Sequence, residues 1–275
     1  MNLSNSVGWC PIKSDSSQSF EELLSEALSP KLPVNFLRAS DIQAKPPLFF
    51  GDKDLDRFLG GLRLGHIVFF YGSWQCLAIS ELLCIKVQLN SHNGGLDSEA
   101  IFVDGGNTFD PYLIVQYAEQ FSLDRDKALD RIFVSRAFTC HQLTSFITQM
   151  LPRAVHARGV KLVIASDMIE LYCDPDVRYT QSLRLFKTAL NSLSNIARLE
   201  KSLALATSLN EKTSDSDPFL RAVKQKVDIV VRFEERRQST KLILEKHPTR
   251  PEETFLIKQS APRVLEEFLE AAVDG

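Results

Sequence analysis

The sequence is poor in cysteine and lacks long apolar runs. Its 275 residues contain five cysteines, none of them in a CxxC pair: Cys10, Cys76, Cys84, Cys140 and Cys173. This pattern argues against a structural zinc site and predicts reduced thiols in a cytoplasmic protein. Apolar stretches such as residues 67–71 are far too short to cross a bilayer. The first residues show no basic and apolar leader, so we expect no secretory signal.

A strong excess of charge of one sign is also missing. The formal net charge is −3, with 44% hydrophobic and 24% charged residues. These values exclude a largely disordered chain and a global electrostatic footprint for nucleic acid. Residues 221–263 nevertheless hold eleven Lys or Arg against six Asp or Glu, a local net charge of +5. This segment either faces an anionic partner or forms solvated strand faces, and both interpretations stay open.

Two regions differ in composition. Residues 1–46 are Ser-rich at first, then show one short amphipathic pattern over 20–28, then a linker punctuated by Pro30, Pro33 and Pro46. We predict a flexible arm with a short helix here. Residues 47–275 form the predicted core domain.

Within the core, short buried strands alternate with helical patterns. Strands are predicted over 67–71, 100–103, 131–135, 161–165 and 202–207, and helices over 76–89, 111–121, 138–156 and 180–199. This alternation is typical of an α/β fold with a mostly parallel sheet covered on both faces. Closely spaced strands over 227–233, 241–245 and 254–257 predict a C-terminal antiparallel extension, followed by a helix over 263–272.

The turn after the first strand is the first place to look for a ligand, because ligands bind at the carboxyl ends of parallel strands. It reads Gly72-Ser73-Trp74-Gln75-Cys76-Leu77-Ala78-Ile79. A phosphate-binding loop has the pattern GxxxxGK[ST]. Only the first glycine is present, since Leu77, Ala78 and Ile79 stand at the second glycine, lysine and hydroxyl positions. This window alone is equally typical of an ordinary strand–helix turn.

Motifs on either side of this turn carry a family resemblance. The first motif precedes the first strand and contains Leu55-Asp56, Leu59-Gly60-Gly61 and Gly65. The second follows the second strand and contains Asp104, Asn107-Thr108-Phe109 and Pro111. The third follows the third strand and contains Ser135-Arg136-Ala137-Phe138-Thr139 and His141-Gln142. In this order and spacing they resemble the ATPase core of the RecA-like recombinases, most closely the archaeal RadA and eukaryotic Rad branch. The resemblance covers residues 47–269 and implies a RecA-like fold of the phosphate-loop NTPase class.

The resemblance also implies that the catalytic parts are gone. The phosphate-loop lysine and threonine positions are Ala78 and Ile79, and the glutamate position in the triplet 104–106 is Gly106. The second acidic position is Ser166 or, one residue later, Asp167, and the γ-phosphate-sensing glutamine position is Leu209. Phosphoryl transfer depends on charge stabilisation and positioning. We therefore expect no catalytic residue, no metal site and no cofactor, with ATP and magnesium bound only if the divergent loop still holds them.

Other residues have two open interpretations. Phe36 and Ala39 match the FxxA tetrapeptide that the family uses for docking between subunits, or they pack on their own core. Asp104 is a ligand residue or a turn cap, and Arg136 meets an anion or forms a structural ion pair. The loop over 210–220 stands at the family's DNA-binding loop but is acidic. Better candidates for DNA contact are basic residues beyond it: Arg221, Lys224, Arg236, Arg237 and Lys246.

These observations predict a non-catalytic recombinase paralogue. It would assist DNA recombination or repair by binding a RecA- or RadA-type recombinase, its own copies or single-stranded DNA, and no membrane. Two alternatives stay open: a divergent DNA-dependent ATPase of the same family, and a regulatory or scaffold protein unrelated to DNA. Micromolar affinity for MgATP would favour the first, and the net acidity favours the second.

Overall fold

One eight-stranded sheet organises the chain. The computed structural model describes residues 46–209, 217–237 and 239–258. The strands are β1 (Ile67–Gly72), β2 (Ala100–Asp104), β3 (Ile132–Arg136), β4 (Leu162–Ser166), β5 (Leu203–Ser208), β6 (Ile229–Arg236), β7 (Ser239–Lys246) and β8 (Glu253–Lys258). Across the sheet they run in the order β3-β2-β4-β5-β1-β6-β7-β8. All pairs from β3 to β6 are parallel, and the last two pairs are antiparallel. This confirms the predicted α/β class and the antiparallel extension.

The strands β1, β2, β4 and β5 are buried along their whole length because both faces of the parallel sheet are covered there. In β1 all six residues are buried. Ile67, Phe69 and Tyr71 belong to one hydrophobic cluster, whereas Val68 and Phe70 belong to a second one on the opposite face. The period of two along the strand therefore divides a single apolar run between two cores.

Helices cover the two faces. They are α1 (Lys53–Leu59), α2 (Gln75–Lys86), α3 (Pro111–Gln120), α4 (Arg125–Asp130), α5 (Cys140–Ser145), α6 (Leu151–Arg158), α7 (Tyr179–Leu199) and α8 (Pro218–Lys226). Several begin at an aspartate whose carboxylate accepts from the first free backbone N–H groups, as Asp52, Asp110 and Asp217 do. In α3 and α8 a proline follows the cap, where its missing N–H costs nothing.

The long helix predicted over 138–156 is present as helical backbone over residues 140–158, but a π-helical turn divides it. After α5 the backbone makes one π-helical turn over Phe146–Met150 and then continues as α6. Pro152, in the first turn of α6, lacks the N–H that a regular helix needs at this point. The Ser192 hydroxyl on α7 donates to the Ile147 carbonyl oxygen at 2.8 Å and so satisfies a carbonyl of the irregular turn.

The antiparallel extension presents two different faces. Phe233 on β6 pairs with Leu242 on β7, and both side chains are buried with Leu244 in the second hydrophobic cluster. The opposite face carries charged side chains, described below. Some predictions lie outside the described residues, namely the helices over 20–28 and 263–272, the Phe36 and Ala39 motif, and most of the loop over 210–220. The domain boundary after residue 46 stays a prediction.

Candidate functional site

The carboxyl ends of β1, β2, β4 and β5 meet at one edge of the sheet, where ligands of α/β proteins bind. The residues that the sequence singled out lie at these ends. Gly72 ends β1, Asp104 ends β2, and Ser166 ends β4, with Asp167 directly after it. The pairing of β2 with β4 places Ser166 opposite Asp104. The edge is therefore the candidate site.

The turn after β1 is held against β6. Gly72 has a φ of +114°, and a Cβ atom at this position would lie only 2.1 Å from the carbonyl oxygen of Phe233. The same oxygen accepts a hydrogen bond from the Ser73 N–H at 3.1 Å. Glycine is required here by the close approach of β6 and by the left-handed backbone.

The turn is also short, because α2 begins at Gln75. The Cys76 N–H donates to the Ser73 carbonyl at 3.1 Å, and the Leu77 and Ala78 N–H groups donate to the Trp74 carbonyl at 2.9 and 3.3 Å. In an open phosphate-binding loop, backbone N–H groups point at the phosphates instead. Here these three donors already have partners within the turn.

Several side chains at the start of α2 pack in the protein interior. Leu77 and Ile79 pack against the second hydrophobic cluster, and Ala78 has no charge to offer a phosphate. Cys76 is fully buried, and burial, with the nearby Asp167 carboxylate, raises the pKa of its thiol to about 12. Such a thiol is unreactive. The residues present do not fit a magnesium-bound nucleoside triphosphate, since they supply neither the lysine nor the hydroxyl that hold it in the motif.

Asp104 acts as a turn cap. Its side chain is buried, and its carboxylate accepts from the Thr108 N–H at 2.8 Å and the Phe109 N–H at 3.2 Å. Arg136, its cross-strand neighbour on β3, places Nε 3.5 Å from Oδ2. The structure thus favours the structural interpretation of both residues. The Ser166 hydroxyl lies 2.7 Å from the Thr108 hydroxyl and completes this polar group.

Asp167 lies against Gly106. A Cβ atom on Gly106 would lie 2.7 Å from Oδ2 and 2.8 Å from Cβ of Asp167. The Asp167 carboxylate accepts from the Leu209 N–H at 3.0 Å, and its backbone N–H donates to the Thr207 hydroxyl at 2.9 Å. Burial raises the pKa of Asp167 above its ordinary value. With Asp167 in this position, the space at position 106 is too small for a glutamate side chain.

Sequence analysis missed Glu81. This residue of α2 is only 2% exposed, and its carboxylate accepts from the Asp110 N–H at the start of α3 at 2.8 Å. Burial raises its pKa to about 7, and the carboxylates of Asp110 and Asp104 add to the effect. The only signal in the sequence is an acid between Ile79 and Leu82 in an otherwise apolar stretch.

The five basic candidates for DNA contact lie in different places. Lys224 on α8 is 2.9 Å from the Glu245 carboxylate, and Lys246 donates to the Lys224 carbonyl at 2.8 Å. The Glu245 carboxylate also forms an ion pair with Arg232 Nε at 3.0 Å and accepts a hydrogen bond from the Tyr71 hydroxyl at 2.9 Å. Arg221 is exposed on α8, and Arg236 and Arg237 are exposed at the end of the β6–β7 hairpin. The basic segment is therefore in part a network of paired charges on the outer face of the sheet.

In the part of the chain that the structure describes, no group of three or more His, Cys, Asp or Glu side chains is arranged to hold a metal ion. The helices of that part include none with the length and apolar character needed to span a membrane. Cys76, Cys84, Cys140 and Cys173 are free thiols.

Comparison with known proteins gives one family match. The Rad51 family model matches residues 47–233, or 187 of the 275 residues. The chain is 27% identical over 148 residues to a DNA repair protein RAD51 homolog of Solanum lycopersicum, covering 51% of this chain and 43% of the relative. It is 28% identical over 148 residues to DNA repair protein RAD51 homolog B of Zea mays, covering 51% and 44%. It is 26% identical over 168 residues to DNA repair protein RAD51 of Mycosarcoma maydis, covering 58% and 49%. The chain thus spans less than half of the length of each of these relatives.

We predict that the free energy of unfolding depends on pH through Glu81. Because its pKa is about 7 in the folded chain against an ordinary value of 4.5, the folded state binds more protons between these values. The free energy of unfolding therefore falls as the pH rises from 4.5 to 7 and levels off above. Glu81→Gln keeps the hydrogen bond from Asp110 without the charge, so above pH 7 we expect it to be more stable than the wild type by roughly 3 kcal/mol.

Urea unfolding of both proteins at pH 5 and pH 8 measures this difference. The matched control is Glu119→Gln, an exposed acid on α3, for which we expect less than about 0.5 kcal/mol at either pH. An equal pH dependence of the wild type and Glu81→Gln would show that Glu81 does not titrate in this range.

Proposed function

The chain belongs to the Rad51 family of RecA-like recombinases, and from this premise we propose that it acts in DNA recombination and repair without binding or hydrolysing ATP. Its role would be to bind other recombinase subunits or single-stranded DNA. The family match confirms the resemblance carried by the motifs at 104–111 and 135–142. The activity of the whole protein, its substrates and its partners are part of the proposal.

The closed turn after β1 carries the nucleotide part of the proposal. Its three backbone donors at Cys76, Leu77 and Ala78 are already bonded to Ser73 and Trp74 carbonyls. A phosphate could accept hydrogen bonds from these N–H groups only if the first turn of α2 unwound. Because residue 78 is alanine, no lysine charge would offset the free-energy cost of that unwinding. Electrostatic stabilisation of the transferred group is the main source of catalysis in this chemistry.

Contacts at the neighbouring strand ends support the same proposal. Gly106 cannot hold the water-activating carboxylate that the family places there, because Asp167 lies against it. Asp167 itself is tied to the Leu209 N–H, and Leu209 stands at the position of the γ-phosphate-sensing glutamine. Each of these changes removes a different contribution to nucleotide chemistry, so replacing one residue would not restore it.

Calorimetric titration with MgATP tests this part. For the wild type we expect no binding at millimolar nucleotide. We expect the same for the double variant Ala78→Lys/Ile79→Thr, which restores the motif residues but leaves the N–H groups of Cys76 and Leu77 bonded within the turn. Circular dichroism checks that the variant is folded. Micromolar binding by the wild type, weakened by Asp104→Asn or Asp167→Asn, would contradict the proposal and favour a divergent ATPase.

The β6–β7 hairpin supports the DNA part of the proposal. Arg236 and Arg237 are exposed where the hairpin turns. The nearby Glu234 is paired with Arg232 at 3.2 Å and with Lys241 at 3.7 Å, which offsets its charge. Glu235 lies beside them and lowers the local positive charge, so we expect weak binding that depends strongly on salt.

Fluorescence anisotropy with a labelled oligothymidine tests the hairpin. If both arginines contact phosphates, Arg236→Ala/Arg237→Ala should lower the slope of log affinity against log salt by about 1.4, since each contact with a single strand contributes about 0.7. The charge-matched control is Lys127→Ala/Arg153→Ala, two exposed cations on other helices, which should leave the slope unchanged. Absence of binding by the wild type at low salt would exclude single-stranded DNA as its partner.

A further inference from the structure

A groove runs between α7 and α8. It consists of two joined clefts of about 390 and 240 Å³. Lys187 of α7 and Ala222 and Gln225 of α8 line both clefts. The groove is therefore continuous along the two helices.

The groove has the length of a short helix. On the α7 side its wall is formed by Tyr179, Leu183, Lys187 and Asn191. These residues are four apart, so they form one stripe along the helix. Twelve residues at 1.5 Å each span about 18 Å. A partner helix of about three turns matches this length.

The charge of the groove has one sign. Among the described residues, three cations and no acid line the two clefts, the cations being Lys187, Arg221 and Lys226. No ion pair between described residues involves Lys187, Arg221 or Lys226. Other surface cations do pair with acids, as Arg158 does with Glu99 at 2.7 Å. The groove therefore complements an anionic partner.

The floor of the groove is apolar. Leu190 and Ala222 are buried beneath it, and Leu183 is half-buried. Tyr179 is 51% exposed at one end, and its ring stands edge-on to Phe219 at 5.9 Å, which holds it in place. An apolar floor between cationic walls fits a helix that has an apolar stripe flanked by acids.

We propose that this groove binds an acidic amphipathic helix of a partner protein. The apolar side chains of that helix would pack on Tyr179 and Leu183, and its carboxylates would pair with Lys187, Arg221 and Lys226. This inference goes beyond the proposed function, because it concerns a surface that nucleotide and the β6–β7 hairpin do not touch.

The neighbouring cleft favours a protein helix over nucleic acid. At the Tyr179 end the groove adjoins a third cleft of about 520 Å³, which Asp174, Asp217 and Arg178 line, so acids outnumber cations there. A polyanionic strand that continued past Tyr179 would meet these carboxylates and be repelled. A helix of three turns ends before it reaches them.

Binding of a synthetic peptide tests the proposal. The probe is a fluorescent amphipathic peptide of three helical turns, with Leu on one face and Glu on the others. We expect the full chain to bind it with micromolar affinity that weakens with salt. Lys187→Glu/Arg221→Glu should weaken binding at least tenfold, whereas Lys127→Glu/Arg153→Glu, which changes the net charge equally at exposed sites elsewhere, should not. The same peptide with Lys in place of Glu should not bind.

Hydrogen exchange of the wild-type chain tests the same proposal without any variant. Added peptide should slow amide exchange in residues 183–191 and 218–226 and leave β7 and β8 unchanged. The proposal would be overturned if the wild type did not bind the peptide, or if both double variants lost affinity for it equally. Slower amide exchange outside residues 183–191 and 218–226 would overturn it as well. Binding of oligothymidine that only the Lys187→Glu/Arg221→Glu pair removes would also overturn it and would assign the groove to nucleic acid. None of these outcomes bears on the MgATP titration, so the two proposals fail separately.

Discussion

The carbonyl oxygen of Phe233 fixes the turn between β1 and α2. It accepts from Ser73 and leaves no space for a side chain at Gly72. Since β6 is hydrogen-bonded to β1 along its length, the turn cannot widen without disturbing the centre of the sheet. The helix therefore begins after only two residues, Ser73 and Trp74, and its first N–H groups bond to the turn itself. The closed edge is a consequence of how β1 and β6 pack.

Buried carboxylates are the second constraint on this edge. Glu81, Asp104 and Asp167 lie close to one another, and in an ATPase a lysine and a magnesium ion would balance such charges. Here backbone N–H groups and Arg136 bond to them. Burial raises the pKa values of Glu81 and Asp167, so both carboxyl groups take up a proton more readily here than they would in water. The chain thus keeps an acidic edge without the cations of the motif.

Sequence patterns predicted the strands well and the contacts between them poorly. Runs such as 67–71 and 161–165 are buried on both faces, so composition alone identifies them. The short helices α1 and α4 and the helix α8 were not predicted, because charged residues interrupt their apolar pattern and Pro218 looks like part of a loop. The contact of Gly106 with Asp167 joins residues on different strands and depends on the strand order. The missing lysine was visible in the sequence, but the closed turn was not.

We propose that the first turn of α2 stays closed by its own hydrogen bonds and does not open to phosphate. The direct measurement is nuclear magnetic resonance of the backbone amides of Cys76, Leu77 and Ala78 while MgATP is added. We expect unchanged chemical shifts at millimolar nucleotide and slow hydrogen exchange of these amides. Saturable shift changes over residues 72–78 would contradict it and would show that this edge still binds nucleotide.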